Sequence, residues 1–185
     1  MPTELRERIL DTALGLMSEQ GSAGTSMRQL ARACDVQVAA LYHYFDSKDA
    51  LLTAVIAERN YSGRLAEPLQ IDRDAPADER LIKLFGSLWD GAIEEEAVWR
   101  LLLGEGIRSE PAAVEVGHSL LVAVRVGVRA WVAEWVPELE HPDAVADAVI
   151  AQMFLGFLRY MFEPEADPAD IGREAAESLR LVVAP

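Results

Sequence analysis

Apolar side chains recur every three or four residues along almost the whole chain, the spacing that gathers them on one face of an α-helix. The first such stripe ends at Gly21, a residue suited to a helix C-terminus. Ser26, followed three positions later by Gln29, is typical of a capping box that begins the next helix. The sequence contains no strand-like alternation and no internal repeat. The pattern therefore predicts an all-α protein.

Prolines mark several predicted helix starts, since the missing N–H of proline costs no hydrogen bond in the first turn. Segment 67–76 is the one convincing linker. The pattern predicts about nine helices, of which the first ends at Gly21 and the others cover roughly 26–33, 37–44, 47–64, 76–95, 97–105, 111–136, 142–162 and 168–183.

The 185 residues carry 31 acidic and 17 basic side chains, a formal net charge of −14. This balance excludes a positive surface spread over the whole chain, so any nucleic acid must be bound by a local patch. The charge is uneven, because residues 1–60 have 6 basic and 8 acidic side chains, whereas residues 61–185 have 11 and 23. A nearly neutral N-terminal part therefore precedes a strongly acidic one.

Catalytic and metal-binding patterns are not found in the sequence. Cys34 is the single cysteine, which excludes a disulfide framework and a multi-cysteine metal cluster. It is interpreted as a small packed side chain, with a redox switch as the alternative. The scattered histidines form no metal motif, and no phosphate-binding loop or nucleophile elbow occurs. We therefore predict a protein that is not an enzyme and needs no cofactor and no metal.

The longest apolar run, 144–162, is interrupted by charged and polar residues at several angles around the helix axis. This pattern indicates a buried helix of a globular protein, and not a bilayer-spanning helix. The N-terminal segment has charges where a signal peptide needs an apolar stretch. A cytoplasmic protein without a membrane partner is expected.

Helices 26–33 and 37–44, joined by a three-residue turn and preceded by an amphipathic helix, form a helix-turn-helix pattern. Asp35 in the turn tolerates a left-handed backbone. Lys48 stands at the start of the following helix, where its charge and the helix dipole favour a phosphate. The pattern predicts binding to double-stranded DNA, although the same geometry also occurs in all-α proteins that bind none.

Two segments of this region resemble the motif helices of the TetR family of transcriptional repressors. They are Thr25–Ala31 (TSMRQLA) and Leu41–Leu51 (LYHYFDSKDAL), and the close resemblance covers about residues 8–56. The remainder is similar only in the number and length of its helices. The resemblance implies a helix-turn-helix DNA-binding domain at 1–48 and a helical effector-binding and dimerisation domain at 49–185.

The resemblance also implies roles for individual residues of the motif. Phosphate contacts are expected from Arg28, Tyr42 and Lys48, and contacts to base edges from Gln37, Val38, Ala39 and His43. The family usually has glycine where Asp35 stands here, and serine or threonine where Gln37 stands. The reading face is therefore unusually apolar, and its small side chains suit thymine methyl groups.

Helix 142–162 is apolar around nearly its whole circumference, which predicts burial on every side. Part of that burial requires a partner, and the resemblance implies a homodimer in which this helix and the last one form a four-helix bundle. A dimer also suits a palindromic operator, because each protomer reads one half-site. The predicted interface residues are Val145, Val149, Met153, Ile171, Ala175, Leu179 and Val182.

Aromatic and apolar residues of the acidic part are interpreted either as core or as walls of a cavity for a small-molecule effector. The polar residues His118 and Arg125 belong either to a solvated face or to the contacts of that effector. The candidate pocket residues are Phe85, Trp89, Trp99, His118, Arg125, Trp131, Phe154 and Phe157.

The predicted function is a ligand-responsive TetR-like regulator, a homodimeric repressor released from a palindromic operator by a small, largely apolar effector. One alternative is a regulator-like module that binds a small molecule or a protein but no longer binds DNA. The acidic charge and the apolar reading face favour that alternative, and the basic and aromatic motif residues oppose it. Repression and activation are both compatible with the sequence.

Overall fold

A computed structural model describes residues 2–58 and 69–183. Over these residues the chain forms nine α-helices and no strand, which confirms the predicted all-α fold class. The predicted proline starts at 111, 142 and 168 are also confirmed. The helices are α1 (Pro2–Gly24), α2 (Met27–Ala33), α3 (Val38–Tyr44), α4 (Lys48–Glu58), α5 (Ala77–Glu94), α6 (Glu96–Ile107), α7 (Pro111–Trp135), α8 (Pro142–Phe162) and α9 (Pro168–Val183).

Packing divides the chain into two units. We call the first the head, residues 1–60 and 95–120, and the second the body, residues 61–94 and 121–185. The head contains α1 to α4, α6 and the beginning of α7. The body contains α5, the rest of α7, α8 and α9.

Helix α1 is the central element of the head and packs against α2, α4 and α6. Its apolar stripe forms one buried face, and α4 presents a second face of buried aliphatic side chains. Arg6 joins the two helices by donating hydrogen bonds to both carboxylate oxygens of Glu58, at 2.6 and 2.5 Å. These bonds raise the pKa of Arg6 above its ordinary value. The buried residues of the two faces are Ile9, Leu10, Ala13, Met17, Leu51, Leu52, Val55 and Ile56.

The body is built from α5, α8 and α9, which pack against one another. At its centre, Trp89 of α5 donates a hydrogen bond from Nε1 to the carbonyl oxygen of Pro168, at 2.9 Å. A Cβ atom added to Gly156 would lie 2.7 Å from the indole ring, and one added to Gly172 only 2.3 Å from it. Glycine at these positions therefore lets α8 and α9 approach the indole closely. Asp167 caps α9 by accepting from the Ala169 N–H at 2.8 Å, as its position before proline predicts.

Helices α7 and α8 are long and apolar enough to cross a bilayer by length and composition, with mean hydropathies of 1.3 and 1.4. Core helices of soluble proteins meet the same criterion, so it is weak support for a membrane span. Within the body, ion pairs join the two helices, Arg125 to Asp147 at 3.3 Å and Arg129 to Asp143 at 3.3 Å.

Candidate nucleic-acid interface

The helix-turn-helix of the head has the local geometry that its sequence predicts. The Ser26 hydroxyl accepts a hydrogen bond from the Gln29 N–H at 3.1 Å and so caps α2. In the turn, Asp35 adopts the left-handed region with a φ of 51°. The turn is closed by the Val36 N–H, which donates to the Ala31 carbonyl at 2.9 Å. These bonds set the direction in which α3 leaves α2.

A small apolar core holds α3 in place. Leu30 of α2 and Leu41 of α3 are fully buried, and Phe45 is nearly so. The Arg6 guanidinium lies 5.4 Å from the centroid of the Phe45 ring, a cation–π contact that adds α1 to this core. Cys34 is also buried, the environment of a packed thiol and not of an accessible one.

Most predicted DNA-contacting side chains lie on the surface of the head. Ala39, Tyr42 and His43 are exposed, and their spacing places them on one face of α3. Val38 is half-buried beside them. Gln37 is exposed, and as N-cap it makes no side-chain hydrogen bond to the helix. Its amide is therefore available to a base edge.

The charges around this face are favourable to DNA although the whole chain is acidic. Segment 26–48 carries three basic side chains, Arg28, Arg32 and Lys48, against two acidic ones. Arg28 and Arg32 are exposed on α2. A local excess of positive charge is what phosphate binding requires of a protein with negative net charge.

Lys48 differs from the other predicted phosphate contacts because it is half-buried and already bonded within the head. Its ammonium group donates to the carbonyl oxygen of Ser22 at 2.8 Å. An ammonium group has three N–H donors, so two remain for a phosphate. Sequence reasoning missed this contact, because the two residues are separated by 26 positions.

Glu105 of α6 is a buried charged residue that sequence reasoning did not select. Its Oε1 atom accepts a hydrogen bond from the Ser22 N–H at 2.8 Å and lies 3.4 Å from Nη1 of Arg108. The available signal was one carboxylate at a core position of an otherwise apolar stretch, LLLGEGI. A buried charge of this kind requires partners, and so predicts a specific contact.

The predicted pocket residues do not form one cluster within either unit. In the body, Phe85 and Trp89 stack with ring centroids 6.4 Å apart and are buried, and Trp89 also borders a cavity between α5 and α9. The other six differ in exposure. Trp131 and Phe157 are buried in the body and Trp99 is half-buried in the head, whereas Phe154, Arg125 and His118 are exposed.

The predicted dimer residues of α8 and α9 are placed in the core of the body. Six of them are buried within a single chain because α8 and α9 pack on α5 and on each other, namely Val145, Val149, Met153, Ile171, Ala175 and Leu179. The seventh, the side chain of Val182, lies outside the described residues. The six buried side chains are thus packed within a single chain, and their role at a dimer interface stays a prediction. The open face of α8 instead carries Phe154 and Leu155.

Comparison with known proteins connects this geometry to a family. Residues 9–55 match the family model of bacterial regulatory proteins, tetR family. Over 183 residues the chain is 27% identical to the HTH-type transcriptional regulator UidR of Escherichia coli, covering 96% of this chain and 90% of that protein.

Solved structures share the fold at low sequence identity. The TetR family transcriptional regulator PfmR from Thermus thermophilus has a TM-score of 0.71 at 20% identity, covering 96% of this chain and 100% of that chain. The transcriptional regulator FadR from Bacillus subtilis, in complex with stearoyl-CoA, has a TM-score of 0.71 at 15% identity, covering 94% and 96%. These likenesses extend over nearly the whole chain, whereas the family model matches only the part that contains the helix-turn-helix.

Proposed function

Since the chain is a TetR-family transcriptional regulator, we propose that it is a homodimeric repressor that binds a palindromic operator and leaves it when a small, largely apolar effector binds. We assign DNA binding to residues 1–48, and effector binding and dimerisation to residues 49–185. A regulator acting on chromosomal DNA in this way works in the cytoplasm.

The exposed face of α3 is the observation that carries the proposal of operator binding. A recognition helix needs short or hydrogen-bonding side chains that reach base edges, with basic and aromatic groups beside them for phosphates. Gln37, Ala39 and His43 provide the first kind of group, while Arg28 and Tyr42 provide the second. All five are exposed on a head whose core and turn are closed by internal contacts.

The proposed homodimer rests on exposed apolar side chains of the body. On α7 these are Leu121, Val122 and Val126, and on α8 they are Phe154 and Leu155, each exposed over about half of its surface or more. Large apolar residues exposed together favour contact with another protein surface. A second copy of the chain meets this need and also supplies the second recognition helix for a palindrome.

The proposed effector is apolar because most of the predicted pocket residues are aromatic. The FadR structure holds stearoyl-CoA, so this fold accommodates a ligand with a long apolar chain. Release from DNA requires that the effector bind the conformation that does not bind DNA more tightly. Equal affinity for the two conformations would not shift the equilibrium between them.

The alternative function is a regulator-like module that binds a small molecule or protein without binding DNA. The net charge of −14 favours it, because long-range repulsion opposes the approach to phosphates. The local basic excess at 26–48 opposes it. DNA affinity at low salt separates the two functions.

The deciding experiment is fluorescence anisotropy of labelled duplex DNA, taken from upstream of the gene that encodes the protein, titrated with purified protein. A shuffled duplex is the control. If the operator lies elsewhere, selection from a random DNA library identifies it. We expect sequence-selective binding that weakens with salt. Arg28→Ala should weaken binding and reduce the salt slope by about one, as expected for the loss of one phosphate contact.

Arg173→Ala is the matched control, because it removes the same charge from an exposed position on α9 in the body. It should leave the salt slope unchanged. Absence of selective binding to any duplex, at low salt and after selection, would refute operator binding and leave the alternative.

A further inference from the structure

The buried polar side chains of the described residues meet at one place in the head. They are Ser22, Thr25 and Glu105. The Ser22 N–H donates to Glu105, the Thr25 N–H donates to the Ser22 carbonyl at 3.2 Å, and the Thr25 hydroxyl donates to the Gly21 carbonyl at 3.0 Å. Polar groups concentrate at this point although the remainder of the head core is apolar.

The break in α1 makes this arrangement possible. Gly21 has a φ of 77° and a ψ of 161°, and a non-helical ψ turns the peptide that follows it. The Ser22 N–H is thereby directed to Oε1 of Glu105, at 2.8 Å. A Cβ atom on residue 21 would lie 3.3 Å from that same oxygen. Glycine therefore provides both the backbone conformation and the space for the carboxylate.

The carbonyl side of the Ser22 residue is held by a second charged group. The ammonium group of Lys48 donates to this oxygen at 2.8 Å. The N–H of Ser22 thus donates to a carboxylate of α6, and the Ser22 carbonyl accepts from an ammonium group of α4. We call this set, Glu105, the Ser22 backbone and Lys48, the Ser22 clamp.

A buried carboxylate is unfavourable unless its bonds compensate for lost hydration. Leucine at position 105 would avoid the cost of burying a charge but would leave the buried Ser22 N–H without its acceptor. What the charge adds is direction, because charge-assisted hydrogen bonds are short and hold their partners in a defined geometry. The Ser22 clamp therefore fixes the positions of α1, α4 and α6 relative to one another.

We propose that Glu105 is a positioning residue for operator binding, which it reaches through the Ser22 clamp and not by touching DNA. The clamp fixes Lys48, the first residue of α4, relative to α6 and α1. Since Lys48 follows the end of α3 by four residues, its position also limits the orientation of the recognition helix. The consequence for DNA rests on the proposed function above, whereas the clamp itself is a property of the free protein.

Two substitutions of Glu105 separate geometry from charge. Glu105→Gln keeps an oxygen acceptor for the Ser22 N–H, whereas Glu105→Leu removes it. We expect Glu105→Leu to weaken operator binding about tenfold and Glu105→Gln to retain most of the affinity. The salt slope should be unchanged in both, because no phosphate contact is lost. Arg28→Ala is the contrasting variant, since it should change the slope.

Hydrogen exchange of the Ser22 amide in the free protein tests the clamp without DNA. The amide should be protected in the parent and in Glu105→Gln, and at least tenfold less protected in Glu105→Leu. Lys48→Met in the Glu105→Leu background should reduce operator affinity by less than it does in the parent, since the clamp is already open. Circular dichroism and thermal unfolding establish that each variant is folded.

A folded Glu105→Leu protein with parental Ser22 exchange and parental operator affinity would overturn the proposal. So would equal losses for Glu105→Gln and Glu105→Leu together with a reduced salt slope, since that pattern indicates a lost DNA contact. If the parent binds no duplex, the proposed function fails. In that case the hydrogen-exchange result still tests the clamp. Unchanged exchange of the Ser22 amide in Glu105→Leu would show that the clamp does not form, and a loss of protection would support it.

Discussion

The head and the body hold their helices by different means. In the head, the carboxylate of Glu105 and the ammonium group of Lys48 bond to the backbone of Ser22. In the described part of the body no polar or charged residue is buried, and α8 and α9 instead approach the indole of Trp89 at two glycines. Charge-assisted hydrogen bonds hold one direction and distance, whereas apolar contacts are non-directional and depend on close fit. The difference suits a head that holds α3 in a fixed orientation.

The largest loss of stability is expected when a methyl group is added to Gly172, where the residue contacts Trp89. A Cβ atom there would lie 2.3 Å from the indole, so Gly172→Ala displaces the ring and breaks its bond to Pro168. Overpacking and the lost hydrogen bond together should destabilise the body by about 3 kcal/mol in urea unfolding. Gly86→Ala on α5, which meets nothing within 4 Å, is the control and should stabilise slightly. Equal stabilities of the two variants would show that the indole is not tightly held.

The corresponding substitution in the head is Gly21→Ala. It combines a left-handed φ with a Cβ atom 3.3 Å from Glu105, so we expect a loss of about 1–2 kcal/mol in the free energy of unfolding. Gly15→Ala lies in the same helix and meets no atom within 4 Å, and it should stabilise by about 0.5–1 kcal/mol. Urea unfolding of the pair measures the difference. A neutral Gly21→Ala would indicate that α1 is not constrained at its break.

A smaller effect is expected at the cap of α2. Ser26→Ala removes the acceptor for the Gln29 N–H and should destabilise the head by about 1 kcal/mol. Ser178→Ala removes a hydroxyl from an exposed position within α9, where it donates to the Glu174 carbonyl, and should change stability very little. Thermal unfolding of both proteins compares a local polar contact of the head with one of the body. Equal midpoints would contradict a stabilising role for the cap.

The smallest effect concerns a surface ion pair of the body. Hydrogen bonds from Arg159 lower the pKa of Glu163 below its ordinary value of 4.5. A lowered folded-state pKa means that the pair stabilises the protein above the unfolded pKa and that this contribution disappears as the pH falls through the folded pKa. Arg159→Ala should return the pKa of Glu163 towards 4.5, as measured by NMR titration of its carboxyl carbon. An unchanged titration would show that the pair does not form in solution.

Local sequence patterns were sufficient to predict the helices and the DNA-binding motif. The capping serine at 26, the left-handed Asp35 and the proline starts all act within a few residues, so each can be recognised without knowledge of the fold. The predicted contact residues Ala39, Tyr42 and His43 are exposed because helical spacing places them on one face of α3. The assigned contacts of these residues with DNA remain predictions.

The sequence by itself determined the all-α class and the order of the helices, because those depend on contacts between near neighbours. Only the tertiary structure decided which apolar residues are core. It buried Val149 and Leu179 within one chain and left Phe154 exposed, since helical periodicity does not show which face meets which neighbour. The tertiary structure also joined Ser22 to Glu105 across 83 positions. A hydrogen bond between such distant residues depends on how α1 and α6 pack, and that packing is a property of the whole head.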